Sequence, residues 1–159
     1  MRSPQLVILE TDCWLAKQLR ELAGESRWLM QAARSTDTAR SLAQRQPTVL
    51  LVQFEPGEDK PAPLQLIADV HTTAPDTPIV AVADVKLPDT ERAAWTAALL
   101  DLGARYVLFP PLTKPVLEDV VSGLMAATIR RVIGENPATP AEPAREEPVL
   151  DLADEGAEA

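Results

Sequence analysis

The apolar run Val49–Val52, closed by Gln53, restricts the fold of this chain more than any other feature of the sequence. Four consecutive apolar residues predict a strand buried on both faces, as strands are in parallel sheets covered by helices. Ligands of such sheets bind just beyond the carboxyl ends of the strands, so Gln53 stands where chemistry is expected. A carboxylate there could act as a nucleophile or hold a metal ion, whereas a neutral amide does neither well.

Strand-like and helix-like segments alternate along the first 134 residues. Apolar runs predict five strands, at residues 6–9, 28–33, 47–53, 79–83 and 105–109. Helical periodicity follows each run, beginning near residues 12, 36, 64, 89 and 114. We expect Gly24 and Gly103 to stop the first and fourth helices, and Thr36 or Asp37 to cap the second. Five strand–helix units predict an α/β domain, 1–134, with a doubly wound, five-stranded parallel sheet.

The last 25 residues have a different composition. Residues 135–159 hold eight of the 24 acidic residues but only one of the 15 basic ones, together with four prolines. Such a segment buries too little apolar surface to fold, so a disordered acidic tail is predicted. Within it, Val149, Leu150 and Leu152 form an apolar island that is either a partner-binding motif or a spacer with chance hydrophobic residues.

Composition also limits the partners and the compartment. The formal net charge is -9 and the charges of residues 1–134 nearly balance, which argues against a nucleic-acid partner. No segment resembles a signal peptide or a membrane span, and the single cysteine, Cys13, excludes an internal disulfide. We expect a cytoplasmic protein in which Cys13 packs in the interior. The lone His71 is expected at the surface, with no metal site.

Four motifs, in this order, resemble one known family. They are Leu6-Val7-Ile8-Leu9-Glu10, the run from Pro47 to Gln53, Ala74-Pro75-Asp76-Thr77-Pro78-Ile79-Val80, and Gly103-Ala104. Order and spacing together are similar to the receiver domain of response regulators, the CheY-like module of two-component phosphorelays. The resemblance covers about residues 5–133 and implies a flavodoxin-like fold.

The resemblance also implies a phosphorylation site, which this sequence replaces almost completely. The family's acidic pair, which holds Mg²⁺, becomes Glu10 and Thr11, and its phosphoacceptor aspartate becomes Gln53. The family's hydroxyl position becomes Ala83, and its lysine position becomes Pro110. Nucleophile, hydroxyl and counter-cation are lost together, so we expect a degenerate pocket and no aspartate-type phosphorylation.

The remaining polar groups are expected to have structural roles. We expect Glu10 and Asp12 to cap the first helix, and Gln53 to form hydrogen bonds inside a filled pocket. Lys114 is interpreted as the start of the last helix. The family's cis bond at its lysine–proline step suggests a cis bond at Pro110–Pro111.

The output surface of the resembling family includes the fourth helix and fifth strand. Trp95 is a candidate interface anchor there, because tryptophan is enriched in binding hot spots. Arg105 and Val107 complete the candidate interaction surface, with Val107 at the position of the family's aromatic switch. Tyr106, its neighbour, is expected to point to the other face of the strand.

These features predict a non-enzymatic pseudo-receiver that acts alone through protein contacts in a signalling or localisation pathway, without a cofactor. One alternative is an atypical phosphorelay regulator that uses another acid. Another is a flavodoxin-like domain that binds a flavin or cobalamin, although the chain lacks a glycine-rich phosphate loop. Homodimerisation is also possible, through the apolar stripe of the last helix that ends in Ile129 and Ile133.

Overall fold

A computed structural model describes residues 3–57 and 60–134. The strands are β1 (Gln5–Leu9), β2 (Leu29–Ala33), β3 (Thr48–Gln53), β4 (Ile79–Val82) and β5 (Tyr106–Leu108). The helices are α1 (Trp14–Ser26), α2 (Thr36–Leu42), α3 (Ala62–Thr73), α4 (Asp89–Leu102) and α5 (Lys114–Gly134). The predicted five strand–helix units are confirmed. The predicted disordered tail, 135–159, with its island at Val149, Leu150 and Leu152, lies outside the described residues.

The five strands form one parallel sheet in the order β2-β1-β3-β4-β5. This order confirms the predicted doubly wound α/β fold. β3 lies at the centre because the four residues from Val49 to Val52 are fully buried and can be covered on both faces. Ligands of such a sheet bind at the carboxyl edge, which in this chain lies beyond Leu9, Gln53 and Val82.

Helices cover both faces of the sheet and create two apolar layers. Alternate residues of each strand contribute to opposite layers, so Leu50 and Val52 pack on the side of α2, α3 and α4. Val49 and Leu51 pack on the side of α1 and α5. The same alternation separates Val107, which packs in the first layer, from the half-exposed Tyr106, as expected.

Several helix boundaries differ from those predicted. Gly24 does not stop α1, which continues to Ser26 and ends at Arg27 in the left-handed conformation (φ 61°). An exposed glycine inside a helix is costly but tolerated, so the prediction was wrong. The cap of α2 is Ser35, whose hydroxyl oxygen accepts a hydrogen bond from the backbone N–H of Thr38. Thr36 and Asp37 are instead the first helical residues.

Gly103 ends α4 as predicted, and its conformation explains why glycine is required. Its φ is 124°, a region that side chains with a Cβ rarely adopt. A Cβ at this position would also lie 2.4 Å from Cγ of His71. The turn from α4 to β5 therefore packs directly against α3. His71 itself is exposed, as expected.

The peptide bond between Pro110 and Pro111 is cis, as expected, and so is the bond before Pro47.

Residues up to Ile129 form one compact unit, and the chain from Arg130 belongs to a second unit, of which only residues 130–134 are described. Among the described residues, no helix is both long and apolar enough to cross a bilayer.

Candidate functional site

Glu10 follows β1 at the carboxyl edge of the sheet and caps α1. Its Oε1 accepts a hydrogen bond from the N–H of Leu15 (2.6 Å), and its Oε2 accepts one from the N–H of Ala16 (2.9 Å). A carboxylate at a helix N-terminus also complements the helix dipole. Asp12 accepts a longer bond from the N–H of Trp14 (3.2 Å). The expected capping role of Glu10 and Asp12 is confirmed.

Gln53, at the end of β3, is bonded to the loop that follows β1. Its Oε1 accepts hydrogen bonds from the backbone N–H of Thr11 (2.9 Å) and from the Thr11 hydroxyl (3.1 Å). The amide oxygen therefore takes up the two donors that Thr11 offers. The expected internal hydrogen bonding of Gln53 is confirmed, and it joins a predicted site residue at the end of β3 to one in the loop after β1.

The remaining two positions of the predicted pocket offer no polar side chain. Ala83 is fully buried, and its backbone N–H donates to the carbonyl oxygen of Leu108 (3.0 Å). Pro110 is half-buried and follows β5. Both residues therefore place apolar atoms, and no charged or hydrogen-bonding side chain, at this edge of the sheet.

An aromatic cluster surrounds Phe54, the residue that follows Gln53, and the sequence analysis missed it. Phe54 is 1 % exposed, and its ring centroid lies 5.5 Å from that of Trp95 on α4. The ring of Phe109 meets Phe54 edge-on at 6.0 Å. The signal in the sequence was Phe54 itself, an aromatic residue directly after the strand-ending glutamine. Its burial makes the end of β3 apolar as well as uncharged.

These residues do not fit the Mg²⁺ ion that the resembling family binds. Magnesium requires hard oxygen ligands, usually carboxylates. Glu10 is the one carboxylate kept from the family's set, and both of its oxygens accept backbone hydrogen bonds. Within residues 3–57 and 60–134, no group of histidine, cysteine or acidic side chains is arranged to hold a metal ion.

A second region, the surface between α4 and β5, is open. A groove of about 570 Å³ runs along it, lined on the α4 side by Ala93, Ala97 and Leu100. Val107 and Pro110 line the β5 side. Leu100 is 47 % exposed.

The three residues predicted to form an interaction surface occupy different places. Val107 lines the groove. Trp95 is half-buried and packs against Phe54, so much of its surface serves the aromatic cluster. Arg105 is exposed just before β5 and does not line the groove. The structure thus brings Val107 together with Leu100, which sequence reasoning did not select.

The rim of the groove and the neighbouring helix carry two exposed ion pairs. Arg92 and Asp89 form the first, with 2.7 Å between guanidinium nitrogen and carboxylate oxygen. Lys114 at the start of α5 forms the second with Glu21 of α1, at 2.6 Å. The hydrogen bond between Lys114 and Glu21 lowers the pKa of the Glu21 carboxyl and raises the pKa of the Lys114 amine. This pair joins α1 to α5.

Cys13 is exposed, contrary to the expectation that it packs inside. It precedes α1 with a left-handed backbone (φ 63°), and its side chain lies outside the core. With Thr11 and Arg34 it lines a cavity of about 470 Å³ between the ends of β1 and β2.

Comparisons with known proteins support the fold through structure and not through sequence. No family model matches the chain, and no protein of curated function matches it. Solved structures do match, and response-regulator receiver domains stand among them. The signal receiver domain of a putative Luxo repressor protein from Vibrio parahaemolyticus superposes with a TM-score of 0.67 at 13 % identity, over 85 % of this chain and 99 % of that one.

Two more solved structures give the same result. A CheY-like receiver domain protein from Methanospirillum hungatei matches with a TM-score of 0.62 at 11 % identity, over 82 % of this chain and 99 % of that one. A putative response regulator from Chloroflexus aurantiacus matches with a TM-score of 0.60 at 19 % identity, over 79 % and 99 %. At such low identity the likeness establishes a receiver-like fold and leaves the function to be argued from this chain's own residues.

Proposed function

We propose that this protein is a receiver-like module of a signalling pathway that acts by binding another protein and not by accepting a phosphoryl group. One observation carries the proposal. The amide oxygen of Gln53, where a phosphoacceptor would stand, accepts both hydrogen bonds that Thr11 offers. The proposal places the protein in the cytoplasm, where its partners would be other signalling proteins.

Phosphoryl transfer to this edge of the sheet lacks each of the groups it needs. An amide is not a nucleophile toward phosphate, and Glu10 is engaged as a helix cap. A transferred phosphoryl group would meet the methyl group of Ala83 and the ring of Pro110 in place of a hydroxyl and a cation. These contacts therefore support a structural role for this edge of the sheet and not phosphoryl transfer.

The groove between α4 and β5 supports the binding half of the proposal. Its walls are mostly apolar, and Leu100 stands exposed within it. Exposed apolar surface rimmed by polar residues is typical of protein–protein contacts. The Asp89–Arg92 pair supplies such a rim. A partner that buries Leu100 would gain apolar contact without breaking a hydrogen bond of the groove.

Phosphorylation is tested first, with the full-length protein. The chain is incubated with acetyl phosphate and Mg²⁺, and intact-mass spectrometry is used to look for the added mass of one phosphoryl group. We expect no adduct. A stoichiometric adduct that hydroxylamine removes would overturn the phosphate-independent function and favour an atypical phosphorelay regulator.

The binding surface is tested by capturing partners from a lysate with wild-type protein, Leu100→Asp and Val85→Asp. Val85 is a matched control, because it is a comparably exposed aliphatic residue (41 %) that lies outside the groove. We expect Leu100→Asp to lose the captured protein and Val85→Asp to retain it. A version cut after Gly134 shows whether the same partner also needs residues 135–159. Equal capture by both point variants would refute the groove as the binding surface.

A further inference from the structure

Among the described residues, strand β2 forms one margin of the sheet and pairs with one strand, β1. The N–H of Leu29 donates to the carbonyl of Pro4 (2.8 Å), so Leu29 turns its backbone groups toward β1. Successive residues of a strand point their N–H and C=O groups to opposite sides. Met30 and Ala32 therefore direct theirs away from the sheet, at an edge where no described strand pairs with them.

β2 lacks the features that usually protect an edge strand. Proteins protect sheet edges with charged residues, prolines or very short strands. The opposite margin, β5, has three residues and is followed by Phe109, Pro110 and Pro111. β2 has five residues, Leu-Met-Gln-Ala-Ala, without a charge or a proline. Leu29 is 49 % exposed.

Positive charge and cavities lie at both ends of this edge. Arg27 precedes β2 and Arg34 follows it, and both are exposed without a described ion-pair partner. The cavity of about 470 Å³ lies at the carboxyl end of β2 and is lined by Ala32, by Arg34 and by Glu10, whose carboxylate is taken up by the cap of α1. A cavity of about 260 Å³ lies at the amino end and is lined by Leu29 and Arg45.

We propose that β2 accepts an extended segment of a partner protein as a sixth strand, and that this segment has an apolar centre flanked by acidic residues. Strand addition takes its affinity from main-chain hydrogen bonds and its specificity from pockets for alternate side chains. Met30 and Ala32 supply the main-chain groups, and the exposed side chain of Leu29 supplies apolar contact. The acidic flanks pair with Arg27 and Arg34.

A second copy of this chain fits the same edge poorly. Antiparallel pairing of β2 with itself would bring the two positively charged ends of the strand together, so that Arg27 of one copy would lie near the Arg34 end of the other. Like charges repel, whereas an acidic segment would be attracted to both ends. Charge complementarity therefore favours an acidic partner strand over self-association.

This docking edge is independent of the proposed function. β2 and β5 are opposite margins of the sheet, so a partner on β2 leaves the α4–β5 groove free. The two surfaces are thus able to hold two proteins together. Variants on one margin report on that margin alone.

The probe is a synthetic peptide, acetyl-Glu-Glu-Val-Thr-Val-Thr-Val-Glu-Glu-amide, added to the ¹⁵N-labelled full-length protein. We expect the amide resonances of Met30 and Ala32 to shift and their hydrogen exchange to slow, because these N–H groups gain acceptors. The amides of Leu29 and Gln31 already face β1 and should change little. A peptide with lysines in place of the glutamates is the control and should not bind.

Charge reversal tests the flanks. Arg34→Glu should weaken binding of the acidic peptide roughly fivefold, the effect of about 1 kcal/mol from a lost surface ion pair. Arg105→Glu is the matched control, because it reverses an exposed arginine beside the opposite margin, and it should bind as the wild type does. Circular dichroism and urea unfolding of both variants establish that they are folded.

Three results would overturn this inference. The first is equal binding of the acidic and basic peptides. The second is a set of amide changes on α4 and β5 in place of Met30 and Ala32. The third is a dimer in sedimentation whose Met30 and Ala32 amides are already protected without peptide, which would assign the edge to a second copy.

Discussion

The end of β3 and the surface beside β5 belong to the same sheet but differ in how far their side chains are covered. Beyond β3, Gln53 accepts two hydrogen bonds from Thr11, and Phe54 is almost fully buried. Along β5, Val107 lines an open groove in which Leu100 is exposed. A site loses its chemistry when its polar groups are satisfied internally, and it keeps a capacity to bind where apolar groups stay uncovered.

The largest expected effect is on the free energy of unfolding, from a substitution at the buried end of β3. Phe54→Ala removes a buried ring that touches Trp95 and Phe109, and we expect it to lower the free energy of unfolding by about 3–5 kcal/mol. Urea unfolding measures the loss. The groove supplies the contrast, because Leu100→Ala removes a half-exposed side chain and should cost no more than about 0.5 kcal/mol. Equal losses would erase the distinction between the two regions.

A smaller effect is expected from the cap of α1. Glu10→Ala leaves the N–H groups of Leu15 and Ala16 without their acceptors, which should cost about 1–2 kcal/mol of unfolding free energy. Asp12→Ala removes one longer bond from an exposed residue and should cost less. Thermal unfolding of the two variants gives the comparison. A larger loss for Asp12→Ala would contradict the assignment of Glu10 as the main cap.

Gln53→Asp tests whether a carboxylate at the end of β3 is enough to restore phosphorylation. The shorter side chain no longer reaches Thr11 with the same geometry, and we expect a loss of about 1 kcal/mol. We expect no phosphoryl adduct with acetyl phosphate and Mg²⁺, because Thr11, Ala83 and Pro110 remain. Intact-mass spectrometry gives the answer. A stable adduct on Gln53→Asp would show that one residue separates this chain from a working receiver.

The smallest effect is the pH dependence of the exposed pair between Glu21 and Lys114. The pKa of Glu21 is lowered in the folded chain, so its contribution is present above the ordinary value of 4.5 and is lost as pH falls through the folded value. The pKa of Lys114 is raised, so its contribution is present below 10.5 and is lost as pH rises through the folded value. Between those limits the contribution should be constant.

The measurement is the difference in Tm between wild type and Glu21→Gln over that pH range. We expect a small, steady difference near neutral pH that shrinks below about pH 4.5 and again above about pH 10.5. Glu91→Gln is a suitable control, since Glu91 is exposed on α4 and forms no described ion pair. A difference that grows on acidification would reverse the sign argued from the two pKa shifts.

The fold could be predicted because its strands are apolar runs with few alternatives. Residues 49–52 can be satisfied only by burial on both faces, and β1 and β4 follow the same rule, whereas β2 and β5 at the margins are partly exposed. Helix ends were harder. Gly24 meets no neighbour that would require a turn there, so the packing of Leu19 and Ala23 lets α1 continue to Ser26. Local capping signals compete, and tertiary packing decides among them.

The candidate site was predicted in part. The positions of Glu10, Thr11 and Gln53 followed from the ends of strands, because a parallel sheet brings those ends to one edge. The exposure of Leu100 did not follow, since its helical spacing from Leu99 and Trp95 does not by itself say how deeply the groove beside it is covered. Which apolar residues stay uncovered depends on how neighbouring elements pack.

The aromatic cluster has a thermodynamic consequence for the groove. Phe109 lines the groove and also presses edge-on against Phe54, so one wall of the groove is backed by a nearly inaccessible ring. Side chains held in this way have little rotational freedom left to lose when a partner arrives. A partner that binds at that wall therefore causes little further loss of side-chain entropy. More of the free energy of its apolar contacts then contributes to affinity.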